Sequence, residues 1–467
     1  MKIFNTFSRN IQELSPQNPP VVTFYACGPT VYDHTHLGHL RTFTNNDLLK
    51  RALTMLGYKI HHVMNITDVG HLTGDTDEGE DKLEKGALKA GKTVWEVADY
   101  YTKQFIFSLK ELNIIESDEL PKATDHIQDM ITLIKKLEEK GFTYKTEEAI
   151  YFDISKFTDY GKLSGQKIED KIQKSRDEVH IDSNKKHPAD FALWFFTVGR
   201  FKDHVMRWDF GSAQGFPGWH IECSAMSMKY LGETIDIHAG GIDHIPVHHE
   251  NEIAQSEAAT GKPFVSIWFH SAFLNIEGQK MSKSLGNFYR IEDLQEKGVS
   301  PQALRYLYLQ THYRQPMNFT FEAAGAATSA FNNLKEMVLA LKKQTQRTVL
   351  STDKLGQLDE YRTQFLSALQ NDLQIPQALA VMWSMLKSNI PSEDKYDLAL
   401  EFDQVLGLGL ATFEEETIPE EIVELAKKRL EARNEKEFEK SDELKKEILE
   451  KGYSIEDTSD SFIIKKK

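Results

Sequence analysis

Residues 21–39 read Val21-Val22-Thr23-Phe24-Tyr25-Ala26-Cys27-Gly28-Pro29-Thr30-Val31-Tyr32-Asp33-His34-Thr35-His36-Leu37-Gly38-His39. The first six are apolar or β-branched and predict a short buried strand, which Cys27-Gly28-Pro29 ends. From about Leu37 to Leu56 apolar residues recur at helical spacing, and Gly57 stops the helix. Lys59 to Ile66 predicts a second strand. Strand, helix and strand at this spacing make a βαβ unit, whose ligand crevice lies at the carboxyl ends of the strands. Cys27, His36, His39 and Thr67 all fall at that edge, so an α/β, Rossmann-like nucleotide-binding fold is expected.

Working outward, the pattern changes between about Thr124 and Asp209. Helical Ile127–Lys140 gives way to short strand candidates around Ala149-Ile150-Tyr151-Phe152, then to a polar stretch from Gly161 to Lys186. This reads as an insertion between two halves of the nucleotide-binding fold. The second half resumes at Gly218 with a helix near Glu222–Leu231, a strand at Ile235–His238, a glycine turn and a helix at His248–Ala258. Pro301–Leu309 and Ala323–Lys343 read as helices, and helical pattern continues with interruptions to about Leu408. Glu414-Glu415-Glu416 and Pro419 mark a charged linker. A mixed-charge helical segment follows, Pro419 to Lys451, then a small β-like stretch, Ser461-Phe462-Ile463-Ile464. No repeat with a period of ~20–50 residues is visible.

Composition bounds the class. A chain of 467 residues is too long for one core and predicts two to four domains. No apolar run reaches the ~18 residues of a membrane span, and the first residues lack the apolar stretch of a secretory signal, so the cytoplasm is the expected compartment. The formal net charge of −15 argues against a broadly basic nucleic-acid surface, though a basic stripe can sit on an acidic protein. There are only two cysteines, Cys27 and Cys223, and a reducing compartment disfavours their pairing.

Two sets of phosphate-seeking groups stand out. His36 and His39 lie three apart at a helix start, adding donors to an already positive helix N-terminus, and Gly38 lets a nucleotide lie close to the backbone. Lys280 and Lys283 sit in the polar string Gly278-Gln279-Lys280-Met281-Ser282-Lys283-Ser284-Leu285-Gly286. Splitting ATP at the α-phosphate needs both sets, because charge grows on the α-phosphate and the departing pyrophosphate together. His248 and Glu252, four apart, share one helix face, and with Cys27 and Cys223 they offer four metal-compatible donors. On spacing alone, without a CxxC pair, two inert thiols and a surface His–Glu pair remain the better reading. His34, His61 and His62 read as ordinary structural histidines, and His71 is open.

HTHLGH and KMSKS together resemble the two hallmarks of class I aminoacyl-tRNA synthetases. Cys27–Asp33, Gly218-Trp219-His220-Ile221-Glu222-Cys223-Ser224-Ala225-Met226 and His248-His249-Glu250-Asn251-Glu252 narrow the resemblance to the cysteinyl-tRNA synthetases, over about Phe4 to Lys467. The resemblance implies a Rossmann-like catalytic domain in two halves (1–123 and 210–265) split by a connective insertion (124–209). A lysine-loop and stem-contact region (266–320), a helical tRNA-binding domain (321–412) and a small mixed α/β anticodon-recognition domain (413–467) would follow. It implies His36, His39, Lys280 and Lys283 as catalytic groups, with Lys283 on the phosphates. Gly38, His238, Gly240 and Asp243 would contact ATP, and Gly28, Thr67 and Trp219 the amino acid. For Trp219, plain core packing weighs equally. Cys27, Cys223, His248 and Glu252 would hold one Zn²⁺, with His249 and Glu250 supporting them, and Mg²⁺ would accompany ATP. The expected partners are L-cysteine, ATP and tRNA(Cys), and the expected state is a monomer.

The chain departs from that pattern at Ala239, where the family shows a first glycine, and at Phe216, where arginine is common. Phe462–Ile464 also replaces a tryptophan-bearing strand. Two other readings share the motifs: a cysteine ligase that uses an amino-sugar acceptor, and a non-catalytic RNA-binding paralogue. The mixed-charge segment Lys427 to Lys451 argues against the first, since such ligases resemble synthetases trimmed at the C-terminus. The intact histidines, lysines and metal donors argue against the second.

Overall fold

The computed structural model describes the whole chain except residues 71, 73–80, 167–183, 283, 284, 345, 348, 415–417, 458–460 and 467. His71 and Lys283 therefore lie outside the described residues. Two compact units are present, Met1–Ala411 and Thr412–Lys467.

A four-stranded parallel sheet organises the first unit. Its spatial order is Val265–Ser271, Ile235–Gly241, Val21–Ala26, Lys59–Met64. The chain lays down its first strand at the centre, adds one neighbour, then crosses to the other side. The order therefore reverses between Val21–Ala26 and Ile235–Gly241, and the carboxyl ends of those two strands open the crevice typical of such a switch point. The predicted first strand, helix and second strand appear at Val21–Ala26, Leu37–Met55 and Lys59–Met64. One expectation fails: Gly240 and Gly241 do not form a turn but complete the strand Ile235–Gly241, paired residue for residue with His270 and Ser271. The parallel neighbour supplies ladder bonds that a sequence pattern does not display.

A five-stranded antiparallel sheet is built from Thr143–Lys145, Ala149–Phe152, Phe191–Phe196, Trp208–Phe210 and Ala213–Pro217. Its inner face packs with helix Ile127–Glu139 and helix Trp219–Leu231 through Ile134, Leu137, Trp194, Ile221 and Met226. Phe216, in the arginine's place, is buried here and stacks flat on His204 with ring centroids 3.8 Å apart. An aromatic contact thus occupies that position.

Helix Leu37–Met55 is also tied to the helical region. Fully buried Arg305 reaches Asp47 Oδ2 at 2.6 Å and donates to the carbonyls of Leu406 at 2.7 Å and Leu112 at 2.9 Å. In the second unit the predicted single helical segment is broken. Helices Glu420–Asn434 and Phe438–Glu450 are separated at Lys436, whose φ of 63° lies in the left-handed region. The turn lets Ile422 and Ala426 meet Ile448 and Ile455 in one small core. A hairpin of Tyr453–Asp457 and Phe462–Lys466 completes the unit, with Arg429 paired to Asp457 at 2.5 Å.

Candidate active site and metal centre

Cys27 follows the strand Val21–Ala26 directly, and its N–H donates to the Ala239 carbonyl at 3.1 Å, across the switch point. Helix Trp219–Leu231 brings Cys223, and helix His248–Thr260 brings His248 and Glu252 one turn apart. All four side chains are buried, and each offers one donor atom within 4.8 Å of the others. The two sulfurs are 4.0 Å apart, too far for a disulfide. His248 Nε2 is 3.1 Å from Glu252 Oε1, and Cys27 Sγ is 3.9 Å from the same oxygen. A tetrahedral zinc with ordinary bond lengths requires donor separations of roughly 3.3–3.8 Å. The set fits such an ion in donor type, number and spacing.

Electrostatics agrees with a cation. The hydrogen bond from Cys27 holds the Cys223 thiol down to about 6 against burial, while burial pushes Cys27 well up. Burial opposes charge on His248, yet Glu252 and Cys223 outweigh it and raise the imidazole to about 10. The Cys223 and Glu252 side chains thus favour their anionic forms, and the His248 imidazolium offsets one of those two charges. A divalent ion held by these four side chains would take the place of that proton and favour the Cys27 thiolate.

A second set of donors overlaps the first: Cys27, Glu252, His238 and His249 also lie within 4.8 Å of one another. The first set carries both sulfurs, and thiolate favours zinc. In the second, His238 Nε2 bonds Glu252 Oε2 at 2.9 Å, and His249 Nδ1 bonds His270 Nε2 at 2.8 Å. His249 Nε2 also stands 3.3 Å from the Cys27 sulfur, so both histidines touch donors of the first set. The imidazole of His238 thereby belongs to this cluster and stacks on Trp268. The part played by His238, and that of His270, escaped the sequence reading, because parallel pairing of two strands carries them there.

Gly28, Thr67 and Trp219 surround the same donors. Gly28 N–H donates to Asn65 Oδ1, Asn65 Nδ2 to Thr67 Oγ1, and Thr67 Oγ1 to Glu222 Oε2, at 2.9, 3.0 and 3.0 Å. A Cβ on Gly28 would lie 1.6 Å from the Asn65 carbonyl oxygen, so only glycine fits. Trp219 stacks on His248 at 4.2 Å, so packing and site contact are one interaction. Asn65 and Glu222 were missed as a linked pair. Glu222 lies within the Gly218–Met226 motif, which was the available signal; Asn65 carried none.

The histidine motif opens helix Leu37–Met55. His36 is its N-cap: Nδ1 accepts from the N–H groups of Gly38 at 3.1 Å and His39 at 3.3 Å. The two imidazoles stack 3.6 Å apart. Burial pushes half-buried His36 down to about 4, against the nearby Asp243 carboxylate, so the ring is neutral at pH 7. Asp243 itself is exposed, directly after Gly241 and Ile242. Gly240 must be small, because a Cβ there would lie 2.6 Å from the His249 ring.

A cavity of about 400 Å³ lies between this loop and the lysine string, lined by Thr30, His36, His39, Met281, Ser282 and Phe288 among others. Lys280 ends the short strand Gln279–Lys280 and is exposed, and Asn287 bridges the string by bonding Ser282 N–H and the Lys280 carbonyl. The structure thus brings His36, His39, Met281 and Ser282 around one cavity. Beside it lie the four donors, Gly28, Thr67 and Trp219.

Known proteins resemble this chain over most of its length. The family profile described as "tRNA synthetases class I (C) catalytic domain" matches residues 13–329. The chain is 41% identical to "Cysteine--tRNA ligase 1" of Burkholderia lata, over 98% of this chain and 95% of that protein. It is 40% identical to "Cysteine--tRNA ligase" of Treponema denticola, over 98% of each. Among solved structures, a methionyl-tRNA synthetase of Mycobacterium tuberculosis in complex with methionyl-adenylate aligns with a TM-score of 0.57 at 15% identity. That alignment covers 83% of this chain and 90% of that one. A leucyl-tRNA synthetase (LeuRS) of Agrobacterium radiobacter, in a ternary complex with tRNA and LeuAMS, aligns with a TM-score of 0.60 at 12% identity, covering 86% and 87%. At such identity the solved structures speak for the fold alone. Near-complete coverage by the two ligases, with a profile spanning the sheet and both motifs, places the chain in the cysteine–tRNA ligase family of class I aminoacyl-tRNA synthetases.

Proposed function

We propose that this protein activates L-cysteine with ATP and transfers it to the 3′ adenosine of tRNA(Cys). One observation carries the reading: one short segment, Cys27–His39, gives the thiol-bearing donor set its Cys27 and the cavity its two motif histidines. The cysteine carboxylate attacks the α-phosphate, pyrophosphate leaves, and the terminal ribose hydroxyl then takes the cysteinyl group. His36 presents a neutral N–H toward the phosphates, because its Nδ1 is occupied by two backbone donors. Lys280, and by resemblance Lys283, supply positive charge where the pyrophosphate departs. Mg²⁺ accompanies the ATP. No nucleophilic side chain is needed, since positioning and charge stabilisation suffice.

Cys27, Cys223, His248 and Glu252 are proposed to hold Zn²⁺. When bound, the ion supplies a borderline-soft Lewis acid that prefers the cysteine thiolate to the hydroxyl of serine. An apolar pocket alone rejects such an isostere by only ~10²-fold or less. Gly28, Thr67 and Trp219 place the substrate beside that set. Adenosine contacts are assigned to Gly38, Gly240, Asp243 and the backbone of His238. The helical region and the Thr412–Lys467 unit are proposed to hold the tRNA stem and anticodon, in a cytoplasmic monomer.

Cysteine-dependent ATP–pyrophosphate exchange, run beside serine and followed by charging of total tRNA, tests the reading. Exchange with cysteine alone and a labelled tRNA are the expected results. Exchange without charging moves the assignment to a different acceptor, such as an amino sugar. Absence of exchange in metal-replete protein overturns it.

A further inference from the structure

The wall of the cavity continues outward as a strip of aromatic rings. Tyr32 and His34 line the cavity itself. The His34 ring meets Tyr101 edge-on at 5.1 Å and Tyr100 at 6.2 Å, and those two tyrosines are 5.1 Å apart. Tyr100 is 42% exposed and Trp95, on the same helix Val94–Glu111, is 50% exposed. Tyr32, His34 and Tyr101 are half-buried, so the strip runs from the cavity wall out to the exposed Tyr100 ring.

Cations accompany them. Lys82 Nζ stands 5.4 Å from the centre of the Tyr32 ring, and Lys92 Nζ 5.1 Å from that of Tyr100. Lys82, Lys85, Lys89 and Lys92 fall within one short stretch of a chain whose net charge is −15. Of the acids in the described part of this stretch, Asp81 bonds His204 Nε2 at 3.0 Å. Glu84 accepts from the Val205 N–H at 2.7 Å, Glu96 folds back onto Thr93 at 2.8 Å, and Asp99 pairs with Lys103 at 2.6 Å. The strip therefore presents π faces with an ammonium group beside two of them, at Tyr32 and Tyr100.

That chemistry fits unstacked bases joined by phosphates, that is, single-stranded nucleic acid. A duplex offers no free base faces. We infer that Tyr100, Tyr101 and Lys92, continued inward by His34 and Tyr32, form the track on which the single-stranded 3′ end of the tRNA stacks before its terminal ribose enters the cavity. The inference rests on the ligase reading above and adds where that strand runs.

The full chain carrying Tyr100→Ala and Tyr101→Ala, compared with the Tyr→Phe pair, tests it. The expected result is cysteine-dependent exchange within twofold of the parent, and kcat/KM for tRNA charging down by roughly tenfold or more. The phenylalanine pair, which keeps the rings, restores charging. A tRNA lacking its 3′ single-stranded nucleotides should compete equally well against parent and alanine variant. Unchanged charging overturns the track, as does equal weakening toward the truncated tRNA, which would place the contact elsewhere. If the double variant also loses exchange, exposed Tyr100→Ala alone decides by the same readouts. Absence of exchange in the parent would instead fault the ligase reading.

Discussion

His36 has two duties that sequence spacing cannot separate. As N-cap it satisfies two orphan N–H groups through Nδ1, which forces the ring proton onto Nε2 and aims that donor outward. Burial lowers its pKa to about 4 from an unfolded value near 6.5. The neutral form is thus favoured by folding: its stabilisation is complete above ~6.5 and is lost as pH falls toward 4. Nitrogen-15 spectra should show the Nε2–H tautomer at pH 7 and protonation near pH 4. His36→Asn retains a good cap but loses the outward donor, so Tm should hold while exchange falls about 10²-fold or more. His36→Ala should lower both. Equal exchange in Asn and wild-type proteins would remove the imidazole from the mechanism. The chemistry of single residues was the most legible layer, since the thiols, imidazoles and lysines lie within motifs. Asn65, Glu222, His238 and His270 were not, because their roles exist only once distant segments meet.

At the scale of elements, helix Leu37–Met55 is the seat on which the lysine string is mounted. Buried Arg41 gives its guanidinium to four carbonyls: Ala272 at 2.8 Å, Phe273 at 3.0 Å, His312 at 3.2 Å and Gln315 at 2.7 Å. Those carbonyls flank the strands Leu274–Ile276 and Met317–Phe319, which carry the string beside His36. Tyr289 and Tyr308 hold Leu37 from the same side, through its N–H at 3.2 Å and its carbonyl at 2.9 Å. Arg41→Lys cannot span four acceptors. We predict that it raises the KM for ATP and lowers kcat for exchange by about 10–100-fold, with the KM for cysteine unchanged. Active-site titration separates this from misfolding, which would remove sites and leave the surviving ones normal. The helix was legible from apolar spacing and Gly57. Breaks at Lys436 and the straight run through Gly240 were not, because the first has no proline or glycine signal and the second is imposed by a neighbouring strand.

Across the whole molecule, one crossover of the chain decides where everything converges. The sheet order puts Cys27 beside Ala239, and the second half of the fold, beyond the insertion, brings Cys223, His248 and Glu252 from segments about 200 residues away in sequence. Such closure was legible as a class of fold from the βαβ unit, but the strand order was not. The unit boundary gives a further prediction: a chain ending at Ala411 retains the sheet, cavity and donor set, so exchange should persist within a few-fold. Charging of tRNA should fall by at least an order of magnitude, and full charging would remove anticodon reading from the last unit. The central claim concerns the metal. X-ray absorption at the zinc edge, on metal-replete protein with and without L-cysteine, tests it most directly. The account predicts about two sulfurs among four donors, and a third sulfur component on adding cysteine but none on adding serine. A spectrum unchanged by cysteine, or a Cys223→Ser protein that keeps stoichiometric zinc with the same sulfur count, would contradict it.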